Sequence, residues 1–135
     1  MKYFDEKGNL RAEILDEEAQ KVAASFVVTF QDKFNNKRVD NNKSLSSAQL
    51  RRFYGDFKSL EKKVAKQDFE KIKPLIKMVK SKAAYAANPQ NQKIPSQFKD
   101  FLINNVNSIN SKTEFESFML HFEAVVGFYY GMGVK

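Results

Sequence analysis

Apolar residues recur along this chain at three- and four-residue steps, the spacing of one helix face, in five separate stretches. The first, over about 16–34, places Val22, Phe26, Phe30 and Phe34 on one face at steps of four. Within it, Ser25 to Phe30 is rich in β-branched and aromatic residues, which is strand chemistry. The four-residue spacing and the adjoining Ala-rich turn nonetheless favour a helix running through it. The second stretch, about 47–66, opens on Ser46 and Gln49 in a capping-box pattern and carries Leu50, Phe53, Tyr54, Phe57, Leu60 and Val64 on its inner face. The third, about 68–87, takes Asp68 as N-cap and buries Phe69, Ile72, Leu75, Ile76, Val79 and Ala83. Pro74 lies inside it, where a missing N–H and a ring clash predict a kink or a short break. The fourth, about 96–109, follows Pro95 and uses Phe98, Phe101, Leu102, Val106 and Ile109. The fifth, about 114–130, follows a second capping box at Thr113 and Glu116 and turns Phe115, Phe118, Met119, Phe122, Val125, Val126 and Tyr129 inward, with Gly131 as its C-cap.

Five helices of this length joined by short connections predict an all-α bundle in a single domain over 1–135. Residues 1–15 show no helical pattern and are expected to be loosely held. The Asn-rich segment 35–44 and the segment 88–94, with its Asn88-Pro89 turn signal, read as polar linkers. No repeat at solenoid periods is present.

Composition removes whole classes of chemistry. The chain has no cysteine, so a disulfide framework, a thiolate zinc site and a cysteine nucleophile are excluded, and a reducing compartment fits. The N-terminus lacks the apolar core of a signal peptide, and no apolar run approaches the ~18 residues of a membrane span, so a cytoplasmic protein is expected. His121 is the sole histidine, and its neighbours Phe118, Phe122 and Val125 place it on the apolar face of the fifth helix. A partly buried or surface imidazole is the better reading than a ligand or base. Asp16, Glu17 and Glu18 point in different directions on a helix and suit its N-terminal dipole. There is no Gly-rich phosphate loop, no GxSxG and no HExxH. No enzyme, no cofactor and no metal site are expected.

The net charge is +7, and its placement carries more than its size. Residues 1–32 hold 4 basic and 7 acidic side chains, residues 33–82 hold 15 and 5, and residues 83–135 hold 4 of each. Concentrated positive charge attracts phosphate backbones whatever their sequence. On the second helix Arg51, Lys58, Lys62 and Lys66 fall within one arc away from the core stripe, and Arg52 and Lys63 extend it. On the third, Lys73, Lys77 and Lys80 flank the stripe on one side and Lys71 and Lys82 on the other. Side by side, the two helices would offer one continuous positive surface. A polar helix face is ordinary, but interspersed acids normally balance it. Tyr54, Tyr85, Tyr129 and Tyr130 suit stacking on bases, but Tyr54 and Tyr129 sit on apolar faces and read as core.

Three blocks then resemble one family when taken in order. Leu45-Ser46-Ser47-Ala48-Gln49-Leu50-Arg51-Arg52-Phe53 is similar to an L-T/S-T/S-x-x-L-R-x-F/L helix start. Met78-Val79-Lys80-Ser81-Lys82-Ala83-Ala84-Tyr85-Ala86 is similar to an L-K-x-K-x-x-Y-x-A-G-R element. Phe118 through Val126 is similar to a C-terminal F-x-x-x-F-E-A-I/L/V-V-A-Y helix. Together they resemble the small subunit of the type III-A CRISPR effector, the Csm complex, over roughly 44–130, with the first 40 residues variable. The chain departs from the pattern at Asn88-Pro89, which replaces Gly-Arg, and at Gly127-Phe128, which replaces Ala-Tyr.

The resemblance implies a non-catalytic helical subunit, stacked in copies beside other subunits and lining a channel that holds guide and target RNA. It makes Arg51, Lys80 and Lys82 the leading RNA contacts. Arg52, Lys62, Lys66, Lys73 and Lys77 are added from spacing alone. Single-stranded DNA is an equally suitable ligand for a sequence-independent basic face. The alternative is a protein–protein adaptor whose basic face meets an acidic partner. Thirteen phenylalanines exceed what a small bundle is expected to bury, which predicts self-association to a homodimer.

Overall fold

Each apolar stripe has to be buried against another, and the computed structural model, which describes residues 2–134, shows how the five are combined. A 3-10 turn at Ala12–Leu15 leads into α1 (Glu17–Ser25). A two-stranded hairpin follows, β1 (Thr29–Gln31) and β2 (Lys37–Val39). Then come α2 (Ser47–Lys66), α3 (Phe69–Ala86), α4 (Ser96–Ser108) and α5 (Lys112–Gly131). The helix α5 is the axis of the bundle, packing against α1 and α2, while α3 packs against α4 and α2. One aromatic cluster ties these layers: Phe57 and Tyr54 from α2, Phe98 and Phe101 from α4, and Phe118 and Phe122 from α5 meet edge-on or tilted. Two buried tyrosines add polar pins. The Tyr129 hydroxyl donates to the Leu45 carbonyl at 2.6 Å, and the Tyr3 hydroxyl donates to Asn105 Oδ1 at 2.8 Å.

The largest departure from the sequence reading is the first predicted helix. It stops at Ser25, and residues 29–39 form the hairpin, paired Thr29 to Val39, Phe30 to Arg38 and Gln31 to Lys37. Phe26 is buried as predicted, but Phe30 and Phe34 are exposed, so the four-residue spacing beyond Phe26 is accidental. Two local features override it. The run Val27-Val28-Thr29 disfavours helix through its branched Cβ atoms. Asp32 then closes a three-residue loop, its Oδ1 accepting the N–H groups of Phe34 and Asn36 at 2.9 Å, with Asn35 left-handed at φ 63°. That is the type I turn plus left-handed residue of a common hairpin. Segment 35–44, expected as a plain linker, thus contributes a strand.

Smaller corrections have equally local causes. The helix α3 runs through Pro74 without a break. Both Pro74 and Glu70, whose carbonyl lacks the proline N–H, are exposed, so the lost bond falls on the solvent side of the helix, where its cost is least. The second capping box is Ser111 with Glu114, not Thr113 with Glu116. Ser111 Oγ accepts the Glu114 N–H at 3.2 Å, and Glu114 Oε1 accepts the Asn110 N–H at 3.0 Å. Gly131 is the last helical residue, and the left-handed position falls to Gly133 at φ 73°. Residues 2–15 are not loose: Tyr3 and Ile14 are buried in the common core.

Candidate nucleic-acid interface

The α2 stripe Leu50, Phe53, Phe57, Leu60 and Val64 faces the core, which fixes the direction of every cation on that helix. Arg51, Lys62 and Lys66 fall on the opposite arc and are exposed. Lys58, also exposed, is paired with Glu61 at 2.8 Å, which raises its pKa through that hydrogen bond. Arg52 sits a hundred degrees further round than Arg51, on the side where α3 packs. The predicted arc of α2 is therefore present, with Arg52 at its α3 edge.

On α3 the predicted cations divide between two neighbours. Lys82 turns toward α2, its Nζ 3.9 Å from Asp56 Oδ2. Lys77 and Lys80 turn the other way, onto the C-terminal end of α4. Lys77 Nζ donates to the Val106 carbonyl at 2.7 Å and to Asn110 Oδ1 at 3.4 Å, and Lys80 Nζ donates to Asn107 Oδ1 at 2.8 Å. Cations at the carbonyl end of a helix are favourable, and these two hold α4 in place. Desolvation lowers the Lys77 pKa, with the charges of Lys80 and Lys73 adding to the effect. Lys73 is on this same α4-facing side. The two helices thus do not present one continuous positive sheet, and Arg52 and Lys82 are the members of the predicted set brought together across them.

Those two line a cleft of ≈ 220 Å³ with Asp56, Tyr85 and Lys93. Tyr85 is 72% exposed, an aromatic face open to solvent beside three cations and one carboxylate already engaged by Lys82. Lys93 was not legible as a site residue, since it stands alone in a linker without periodic neighbours. Its position comes from the end of α3, where the N–H groups of Lys93 and Ile94 both donate to the Ala86 carbonyl, at 2.7 and 3.2 Å.

His121 lies outside this region, buried with 4% exposure. A carbonyl only accepts, so His121 Nδ1 carries the proton that bonds Ile14 O at 2.5 Å and Nε2 is bare. Burial lowers its pKa, as do the charges of Lys2 and Arg11, against the opposing bond to Ile14 and the charge of Glu18. Because the folded pKa lies below the ordinary value of 6.5, the unfolded chain binds the proton more readily. The stability this neutral group contributes is complete above pH 6.5 and is lost as pH falls through the lowered folded value. Urea unfolding at neutral and mildly acidic pH is expected to show a larger acid loss for the native chain than for His121→Asn, which keeps a donor without titrating. Equal losses in the two would contradict this account.

Among the described residues no helix is long and apolar enough to cross a membrane. A model of the Csm2 Type III-A family matches residues 10–133, reaching well upstream of the three sequence blocks to include the 3-10 turn, α1 and the hairpin. Comparison with curated proteins and with solved structures gives no match. With nearly its whole length matched, the chain belongs to the Csm2 family, the small subunit of the type III-A CRISPR effector complex.

Proposed function

We propose that this protein is a non-catalytic subunit that holds guide and target RNA by the phosphate backbone, without sequence preference, inside the cytoplasmic effector complex. The observation that carries the reading is the gathering of Arg52, Lys82 and Lys93 around one cleft beside the exposed ring of Tyr85. Cations spaced along a groove follow phosphates, and an open aromatic face accepts any base. Arg51, Lys62 and Lys66 extend the positive field along the outer arc of α2. Lys73, Lys77 and Lys80 support it indirectly by fixing α4.

The test is a fluorescence-anisotropy titration of the full chain with short single-stranded RNAs of different sequence at low and moderate salt. Binding that weakens steeply with salt and varies little with sequence is the expected result. Absence of binding at low salt would count against the reading. A protein adaptor is the second reading, favoured by the exposed Leu75 and Met78 between the cations of α3. Capture of an effector subunit from nuclease-treated lysate, with no RNA binding, would support it.

A further inference from the structure

The cleft at Tyr85 is one of three that join end to end. Toward the middle of α2 and α3 it shares Asp56 and Lys82 with a groove of ≈ 190 Å³ that adds Lys63, Leu75 and Met78. In the other direction it shares Lys93 with a cleft of ≈ 330 Å³ whose far wall is the base of the hairpin: Val28, Asn42 and Lys43. The acids beside this path are already engaged. Asp56 faces Lys82, and Asp40 Oδ1 accepts the N–H groups of Asn42 and Lys43 at 3.0 and 3.1 Å. Lys63, Lys82, Arg52, Lys93 and Lys43 therefore form a row of cations running from the helices to the hairpin.

The hairpin has the composition of a contact surface. Every residue of β1 and β2 is exposed, although two strands alone are marginal in water. It is held at its base, where Ser44 Oγ accepts the Val28 N–H at 2.8 Å and donates to the Val28 carbonyl at 3.2 Å. Its tip stands roughly 15 Å beyond, at the rise of an extended chain. Of thirteen phenylalanines, Phe30 and Phe34 are the two left exposed, at 49% and 72%. Lys33 Nζ lies 5.2 Å from the Phe34 ring centroid, and Lys37 and Arg38 stand on the facing strand. Asp32, the acid of the tip, is consumed by the turn and by Arg38 Nε at 2.9 Å. Those bonds, led by the Asn36 N–H, hold its carboxyl below the usual range.

We infer that the hairpin is a second nucleic-acid contact of this subunit, reached by a single strand that leaves the α2/α3 cleft at Lys93, passes Lys43 and places a base on Phe34. The inference rests on the RNA-binding reading above and adds the path and the stacking residue. The cations argue for a phosphate-bearing occupant over an apolar one. A second copy of this chain would bring the same positive charges against them.

The experiment compares the full-length native chain, Phe34→Ala and the Arg52→Ala/Lys82→Ala pair, each titrated with labelled oligouridines of about 6 and about 15 nucleotides. Phe34 packs against nothing that the fold needs, so its variant remains folded. Removing one stacking partner is expected to weaken the longer strand by at least about fivefold and to leave the shorter one unchanged. The paired variant is expected to weaken both. If Phe34→Ala binds the longer strand as the native chain does while the pair still weakens both, the hairpin contact is wrong and the cleft reading stands. If neither variant changes either strand, the cleft reading fails and the path fails with it. Sedimentation showing that Phe34→Ala dissociates a dimer, with RNA affinity unchanged, would assign this face to self-association and overturn the inference.

Discussion

Replacing Phe122 with alanine is expected to lower the unfolding free energy by about 4 kcal/mol. Phe122 is fully buried in α5, and its ring meets Tyr54 and Phe57 of α2 at 5.3 and 5.7 Å and Phe101 and Phe98 of α4 at 5.4 and 6.3 Å. The residue thus joins three helices, and rings on all sides prevent the site from collapsing once the phenyl group is gone. A domain of this size has a total stability of about 5–15 kcal/mol, so the variant is expected to unfold at much lower urea. The control is the neighbouring Leu120→Ala. Leu120 is exposed, and its loss should change stability by about 0.5 kcal/mol or less. Urea unfolding followed by circular dichroism measures both. A Phe122→Ala cost as small as that of Leu120→Ala would show that the aromatic cluster is not what holds α2, α4 and α5 together.

The four later helices were readable because burial and periodicity agree in them. Leu50 to Val64, Phe69 to Ala83 and Phe115 to Tyr129 each place their apolar residues where the structure buries them, except that Tyr54 is only half-buried and Leu75 is exposed at the edge of the α2/α3 groove. The segment 25–39 was misread because two signals conflicted and the less regular pattern was the one that acts on the backbone. Phe26, Phe30 and Phe34 have helical spacing, but a spacing match says nothing about whether a face has a partner. Branched residues at 27–29 and the side chain of Asp32 act on the backbone directly, and they decide the conformation. The cap at Ser111 shows the same thing on a smaller scale. Two S/T-x-x-E patterns overlap within six residues, and only the tertiary position of α5 selects between them.

The candidate site was legible in its charge and only partly in its geometry. The charge count pointed to α2 and α3, but helical spacing cannot say which flank of α3 meets α2 and which meets α4. That depends on the order of packing, and it separates Lys82 from Lys77 and Lys80, three residues that stand close in sequence. Lys93 and Lys43 belong to loops, and their placement follows from the Ala86 carbonyl and the base of the hairpin.

This division makes the second large effect specific. Neutralising Arg52 and Lys82 together is expected to make the slope of log affinity for single-stranded RNA against log salt shallower by about 1.4, the effect of two lost phosphate contacts at roughly 0.7 each. Affinity at low salt should fall further than that slope implies. Losing Lys82 removes the partner of Asp56 and leaves a carboxylate facing the phosphates. The matched comparison is Lys77→Ala/Lys80→Ala, which removes the same formal charge from the other flank of α3. These two amines are bonded to Val106, Asn107 and Asn110. Their loss should cost stability of about 1 kcal/mol or more while changing the salt slope little. Net charge alone would move both slopes equally, so the pair of variants separates a positioned contact from a general attraction. A slope lost with Lys77 and Lys80 and kept without Arg52 and Lys82 would move the RNA to the α4 side of the bundle.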